Sequence, residues 1–283
     1  MSSIYRSGVW FAKGYMEYTR QGYEKAAKSF TPLSADLSGK HVLITGANSG
    51  IGLAAALDLA KMGANIHIAC RNRERGNDAI EQIKAVATGN PPELHILDLA
   101  QSTSVHVFAE QFKKSVTELY CLVNNAGCMV NERQVNENGL ELNFATNTLG
   151  MFILTTALMD TITDRVVTVT SGGMLTQKLD LSDLQFEKGT FDGTRAYAQQ
   201  KRQQVAITEE WAKMNESIHF STTHPGWADT PAVRSAMPEF YEKMKDKLRT
   251  AEQGGDCITW LVACDKGALG QSGGFYQDHQ EVS

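Results

Sequence analysis

Short apolar runs alternate with longer segments of helical periodicity from Lys40 to the end of the chain. Seven runs rich in β-branched and aromatic residues predict strands: KHVLIT, NIHIAC, ELHILD, LYCLVNN, RVVTVTS, SIHFST and GGFYQD. Strands that are apolar throughout are buried on both faces, which is typical of a parallel sheet covered by helices. The pattern therefore predicts one Rossmann-like α/β domain over residues 39–283, a doubly wound parallel sheet of about seven strands with helices on both faces.

Residues 1–38 differ from this pattern and predict an N-terminal amphipathic helical extension. Seven aromatic residues fall within the first 30, and charged residues recur at helical spacing on a different face from Phe11, Tyr15 and Tyr18. Gly14 and Gly22 weaken a continuous helix. Two interpretations stay open: the extension docks on its own domain, or residues 1–30 make a peripheral contact with a membrane interface.

Composition narrows the class of partner. A hydrophobic content of 42% and a charged content of 21% are those of an ordinary globular chain. The net charge of −5 provides no field that would gather phosphates, so nucleic acid is not expected as the main partner. The five cysteines are odd in number and form no C-x-x-C pair, and no signal-peptide core is present. We expect a cytoplasmic chain, with peripheral membrane attachment as the open alternative.

A glycine-rich turn, LITGANSGIG, joins the first predicted strand to a helix. This order suits a dinucleotide, because the free amides and the dipole at a helix N-terminus attract pyrophosphate and glycine lets the backbone approach it. The spacing differs from G-x-G-x-x-G, so a purely structural turn stays open from these residues alone. The expected cofactor contacts of the turn are Gly46, Asn48, Ser49, Gly50, Ile51 and Gly52.

The end of the second strand distinguishes the two nicotinamide dinucleotides. A carboxylate there would bind the ribose 2′-hydroxyl of NAD, whereas a cation would bind the 2′-phosphate of NADP. The sequence ACRNR has Cys70 in place of the acid and Arg71 after it. The guanidinium therefore favours NADP(H) over NAD(H). The alternative is that Arg71 is a solvated loop charge.

The stretch AYAQQK places Tyr197 and Lys201 one helical turn apart. A free tyrosine has a pKa of about 10, and a nearby ammonium would stabilise the phenolate and lower that value. An isolated Tyr-x-x-x-Lys is more often structural. The glycine turn upstream and Ser171 at the end of a strand favour an acid with its tuning cation. The histidines show no metal-ligand spacing such as H-E-x-x-H, so no metal site is predicted.

Taken in order, these motifs resemble the short-chain dehydrogenase/reductase (SDR) family over about residues 39–283. The motifs are TGANSGIG, NNAG, TNTLG, VTVTS, YAQQK and HPGWADT. The stretch ACRNRERG and the long gap between Ser171 and Tyr197 resemble the retinol-dehydrogenase-like branch of that family.

The resemblance implies a catalytic set of four residues. Tyr197 would protonate the carbonyl oxygen, and Lys201 would hold the nicotinamide ribose and lower the pKa of the tyrosine. Ser171 would hydrogen-bond the substrate oxygen, and Asn147 would hold a relay water. His224, in contrast, is expected to make a structural backbone contact.

The resemblance also implies further cofactor contacts. Asp98 would lie near the adenine, and the amide of Trp227 and the hydroxyl of Thr230 would seat the nicotinamide carboxamide. The further contacts are Asp98, Leu99, Asn125, Ala126, Gly127, Tyr197, Lys201, Pro225, Gly226, Trp227 and Thr230.

The function expected from these features is NADP(H)-dependent hydride transfer to or from a small lipophilic carbonyl or alcohol, such as a ketone, aldehyde, retinoid or steroid. Apolar residues in the two long irregular segments, 172–194 and 227–249, favour a lipophilic substrate, with simple packing as the open alternative; they are Met174, Trp227, Met237, Phe240 and Tyr241. The alternative is a catalytically silent dinucleotide-binding sensor or scaffold. The resemblance to the family also implies a homodimer. Its interface would be formed by the apolar helix TNTLGMFILTTALM and by the helix that carries Tyr197.

Overall fold

The computed structural model describes residues 3–282, with side chains from residue 6 onward. Residues 1, 2 and 283 of the predicted segments lie outside this range. One sheet of eight strands has the order β3-β2-β1-β4-β5-β6-β7-β8 among the described residues. The strands are β1 (His41–Thr45), β2 (Asn65–Cys70), β3 (Glu93–Ile96), β4 (Leu119–Asn124), β5 (Ile162–Val169), β6 (His219–Thr223), β7 (Gly274–Gln277) and β8 (Gln280–Glu281). The seven predicted strands are parallel, as expected, and the two-residue β8 pairs antiparallel with β7.

Helices cover both faces of the sheet. They are α1 (Ser3–Glu17), α2 (Arg20–Ala26), α3 (Gly50–Lys61), α4 (Arg73–Lys84), α5 (Ser102–Ser115), α6 (Leu142–Phe144), α7 (Met151–Leu158), α8 (Gly193–Met214), α9 (Pro231–Ala236), α10 (Pro238–Met244) and α11 (Ala251–Ala263). A π-helical stretch, Ala145–Gly150, joins α6 to α7.

Alternate residues of each central strand supply two separate hydrophobic cores. In β1, Val42 and Ile44 pack with α3 and α11, whereas Leu43 packs on the opposite face with α5 and α7. This two-sided burial explains why the strands are apolar throughout. The order of the strands reverses between β1 and β4, where an open α/β sheet leaves a crevice for ligands.

The N-terminal extension docks on the domain through Tyr18, which belongs to the predicted apolar face, and through Gly14, which the sequence analysis did not assign to it. Gly14 and Tyr18 are buried, and the ring of Tyr18 lies 5.8 Å from that of Trp227. Phe11 and Tyr15, on the predicted apolar face, are about half exposed because α1 turns its small Gly14 towards the bulky Trp227. Across residues 3–282, no helix combines the length and the apolar character needed to cross a bilayer.

Candidate active site

A cavity of about 470 Å³ opens at the carboxyl ends of the strands, beside the switch point between β1 and β4. Every predicted site residue lines it except Asp98 and Asn147. A larger cavity of about 830 Å³ lies at the amino ends of β1, β4 and β5, and none of the predicted site residues lines it. The chemistry expected from the sequence therefore belongs to the smaller cavity.

Close packing accounts for two of the three glycines in the turn between β1 and α3. Gly46 has a φ of +68°, and a Cβ there would lie 2.9 Å from the Cα of Ala126. A Cβ on Gly52 would overlap the side-chain amide of Asn125, which donates hydrogen bonds to the carbonyls of Thr45 and Gly46. Ser49 is the N-cap of α3, but its side chain accepts no hydrogen bond from the helix and so does not satisfy the first-turn amides.

Lys201 lies at the opposite wall of the cavity and is almost fully buried. Its ammonium donates hydrogen bonds to the carbonyl of Val169 (2.9 Å) and to Oε1 of Gln204 (3.1 Å). The ammonium lies 5.5 Å from the centre of the Tyr197 ring. Helix α8 and the end of β5 thus bring Ser171, Tyr197 and Lys201 to one cavity wall.

A sequence profile described as short chain dehydrogenase matches residues 40–179. The chain is also 50% identical to human dehydrogenase/reductase SDR family member 12, over 99% of this chain and 90% of the relative. The chain belongs to the SDR family. It is 31% identical to mouse retinol dehydrogenase 11, over 87% of this chain and 80% of the relative, which supports the retinol-dehydrogenase-like branch.

Solved SDR structures share the fold. A short chain dehydrogenase from Escherichia coli, crystallised with NADPH, superposes with a TM-score of 0.70. The match covers 87% of this chain and 99% of that one at 22% sequence identity, so the likeness concerns the fold alone.

Burial changes the acid–base balance expected for this SDR pair. Burial raises the pKa of Tyr197 to about 12, with the Cys128 thiol adding to the rise and the Ser171 hydroxyl opposing it. Burial also lowers the pKa of Lys201 to about 8. The cost of burying charge therefore dominates the pKa of Tyr197, and the group that opposes the rise is the Ser171 hydroxyl; lowering by the Lys201 ammonium stays a prediction. The structure keeps Tyr197 protonated at neutral pH.

Asn147 lies behind the cavity lining, in the π-helical stretch, rather than in the cavity. Its Oδ1 accepts from the amide of Cys128, and its Nδ2 donates to the carbonyl of Cys128 and to Oε1 of Gln200. Its own carbonyl accepts from Nε2 of Gln204 at 2.6 Å. Gln204 uses one lone pair of this carbonyl and leaves the other available, so the role of holding a relay water stays a prediction.

Gln204 is a site residue that the sequence analysis missed. Its side chain is buried and connects two members of the predicted tetrad, accepting from Lys201 and donating to Asn147. Gln204 follows Lys201 by three positions, which places both on one face of α8. The spacing of three positions in the run YAQQKRQQ could have indicated that Gln204 lies beside Lys201.

The loop after β6 differs in one contact from the SDR expectation. The amide of Trp227 donates to the carbonyl of Tyr18 at 2.8 Å, so the N-terminal segment occupies the donor assigned to the cofactor. The next amide, of Ala228, has no hydrogen-bond acceptor within residues 3–282, and Ala228 lines the cavity. The Thr230 hydroxyl accepts from the amide of Val233 as the cap of α9.

Two neighbouring residues have structural partners. His224 accepts from the amide of Gly172 through Nδ1 at 3.0 Å, and its ring packs on the edge of Tyr18, which confirms the expected backbone contact. Asp98 accepts from the amide of Ala100 through Oδ1 and does not itself line the cavity, although Leu97 and Leu99 do, so its adenine contact stays a prediction.

Proposed function

We propose that this SDR chain is an NADP(H)-dependent oxidoreductase that transfers hydride between the nicotinamide and a small lipophilic carbonyl or alcohol. The observation that carries the proposal is the convergence of Ser171, Tyr197 and Lys201 with the glycine turn in one cavity. A dinucleotide-binding sensor or scaffold without turnover would have no use for a buried Tyr197 beside an ammonium.

The residues of the cavity fit a phosphorylated dinucleotide. The α3 N-terminus offers backbone amides that the Ser49 side chain does not satisfy, and the close packing of Gly46 on Ala126 and of Gly52 on Asn125 fixes the turn that presents them. Arg71 lines the cavity, is exposed and makes no ion pair within the described chain. Its guanidinium would bind a 2′-phosphate, and the fold relative crystallised with NADPH supports that choice.

When bound, NADP(H) would supply or accept the hydride at its nicotinamide ring. Tyr197, which burial keeps protonated, would donate its phenol proton to the substrate oxygen during reduction. Ser171 would donate a hydrogen bond to the same oxygen. Lys201 would stabilise the resulting phenolate, while Gln204 positions the ammonium.

The cavity supports a lipophilic substrate. Trp227, Met237 and Phe240 line it, whereas Met174 is buried beneath it and Tyr241 lies outside. Asp229, the acid near this wall, forms a bidentate ion pair with Arg234, so its charge does not stand unpaired beside an apolar ligand.

Steady-state NADPH oxidation with a panel of ketones, aldehydes, retinoids and steroids tests the proposal. We expect turnover by the wild type and a loss of about 10²- to 10⁴-fold in Tyr197→Phe, with NADPH affinity retained. Equal residual rates in both proteins on every substrate would establish the sensor function instead. Arg71→Ala should weaken binding of NADPH more than that of NADH, whereas Arg75→Ala, outside the cavity, should change neither.

We also propose that the chain is cytoplasmic and makes a peripheral membrane contact, which the exposed side of α1 supports. Val9, Phe11, Tyr15 and Met16 are exposed there, the last at 68%. Flotation with liposomes should carry the wild type upwards and leave Phe11→Asp/Met16→Asp behind.

We also propose a homodimer through α7 and α8, because an aromatic side chain is exposed on this surface. Phe152 of α7 is exposed at 41% and stacks on Trp211 of α8. Analytical ultracentrifugation should find a dimer in the wild type and a monomer in Phe152→Glu.

A further inference from the structure

A row of histidines crosses three adjacent strands at the β3 edge of the sheet, away from the proposed active site. His41 of β1, His67 of β2 and His95 of β3 stack in sequence, with ring centres 5.1 and 5.3 Å apart. Residues two apart on a strand share a face, so Glu93 joins His95 on β3, directly opposite His67 in the register.

Three potential ligand atoms converge in this row. Nδ1 of His67 lies 3.1 Å from Nε2 of His95 and 3.8 Å from the nearer carboxylate oxygen of Glu93. All three ligand atoms lie within 4.8 Å of one another. Zinc bonds to nitrogen or oxygen are about 2.0–2.2 Å long, which separates tetrahedral ligand atoms by about 3.3–3.6 Å. The observed separations bracket that value.

The surroundings support a ligand role for His67. Its other nitrogen, Nε2, lies 2.8 Å from Nδ1 of His41, so a proton on Nε2 can be donated to His41 while Nδ1 keeps its lone pair. Phe112 of α5 packs edge-on against both His67 and His95, which provides an apolar wall on one side. The Glu93 side chain is more than half exposed, and this leaves an entry path from solvent.

We propose that His67, His95 and Glu93 bind one zinc-type divalent metal ion, with His41 as the hydrogen-bond partner that orients His67. Glu93 and His95 of β3 follow His67 of β2 by 26 and 28 positions, so no local sequence spacing brings the three ligands together. A bound ion would join the edge strand β3 to β2 and stabilise that edge of the sheet.

Metal titration of the full chain, stripped with a chelator, tests the site. We expect one Zn²⁺ per chain, and Co²⁺ in its place should give the visible bands of four-coordinate cobalt without the near-ultraviolet bands of a thiolate ligand. The five cysteines make the second criterion necessary. Glu93→Gln should weaken Zn²⁺ at least tenfold, and His95→Gln should abolish the cobalt bands.

His106→Gln is the matched control, because His106 is exposed on α5 and does not belong to the group of converging ligand atoms. Zn²⁺ should raise the melting temperature of the wild type and of His106→Gln, but not that of Glu93→Gln. Because the Glu93 side chain lies at the surface, we expect Glu93→Gln to fold. If His95→Gln does not fold, Glu93→Gln alone decides the test. Any one of three results would overturn the proposal. They are less than one metal ion per chain, the appearance of thiolate bands, and an unchanged affinity for Zn²⁺ in Glu93→Gln.

Discussion

The Lys201 side chain is titratable and only 2% exposed. Its ammonium therefore donates hydrogen bonds to protein acceptors rather than to water. Burial lowers its pKa from 10.5 to about 8. Below pH 8 the group is charged in both the folded and the unfolded chain, so folding bears the full cost of burying the charge. Between about pH 8 and 10.5 the folded chain releases the proton first, and this cost disappears as the pH rises.

Lys201→Met should therefore change the pH dependence of stability. The difference in melting temperature, variant minus wild type, should be largest near pH 7 and should shrink between about pH 8 and 10. Lost hydrogen bonds shift this difference by an amount independent of pH, and other titrating groups cancel in the comparison. Calorimetry across this range measures it, and a constant difference would contradict the lowered pKa.

Gln204 should act on catalysis by positioning the Lys201 ammonium. Gln204→Leu removes a hydrogen bond to a charged group, worth about 1.5–3 kcal/mol, so the pKa of Lys201 should fall further by about 1–2 units. The basic limb of the pH profile of kcat should move to lower pH by that amount.

Gln203→Leu is the control for Gln204. Gln203 is equally buried on α8 but accepts from Thr148 and does not contact Lys201. Its variant should keep the wild-type profile even if it loses stability. If the basic limb lies at the same pH in the wild type, Gln204→Leu and Gln203→Leu, then Gln204 only packs and does not position the ammonium.

At the scale of elements, the sequence predicted whatever depends on local pattern. The central strands, such as β1 and β2, are apolar runs buried on both faces, and they could be located from that property alone, whereas the edge strand β3 is partly exposed. β8 escaped prediction because its two residues are exposed and follow a turn in which Asp278 and His279 adopt positive φ. The link from Gln204 to the π-helical stretch also escaped, since the contact joins elements 57 positions apart.

The docking face of α1 shows the same limit. Helical periodicity correctly indicated two faces, but it could not show that the small Gly14 would oppose Trp227. A Cβ on Gly14 would lie 2.5 Å from Cζ2 of Trp227, whereas a Cβ on Gly8 would meet no atom within 4 Å. Both glycines belong to the same helix, so they form a matched pair.

Gly14→Ala should separate α1 from the wall of the cavity. Overpacking of this kind costs about 1–3 kcal/mol, and Trp227 should become more exposed. Gly8→Ala should instead stabilise α1 by about 0.5–1 kcal/mol, through helix propensity alone. Limited proteolysis after Lys13 and tryptophan fluorescence measure the two effects. Equal behaviour of both variants would show that α1 does not depend on this contact.

At the scale of the whole molecule, Arg249 connects three distant parts of the chain. Its guanidinium, at 1% exposure, forms a bidentate ion pair with Asp278 at 2.6 and 2.8 Å. It also donates to the carbonyls of Glu17 and Tyr18 in the N-terminal extension and to that of Pro225 at the cavity. The N-terminal extension, the loop after β6 and the turn before β8 thus share one buried cation.

Arg249→Met should be among the most destabilising single changes outside the two cores. Removing one partner of a buried ion pair leaves the other charge uncompensated, at a cost of about 3–5 kcal/mol. The double variant Arg249→Met/Asp278→Asn removes both charges, and Asn tolerates the positive φ of residue 278, so it should unfold less readily than Arg249→Met alone. Urea denaturation of the three proteins measures the difference. If the double variant is as unstable as the single one, the carbonyl contacts rather than the ion pair hold the extension, the loop and the turn together.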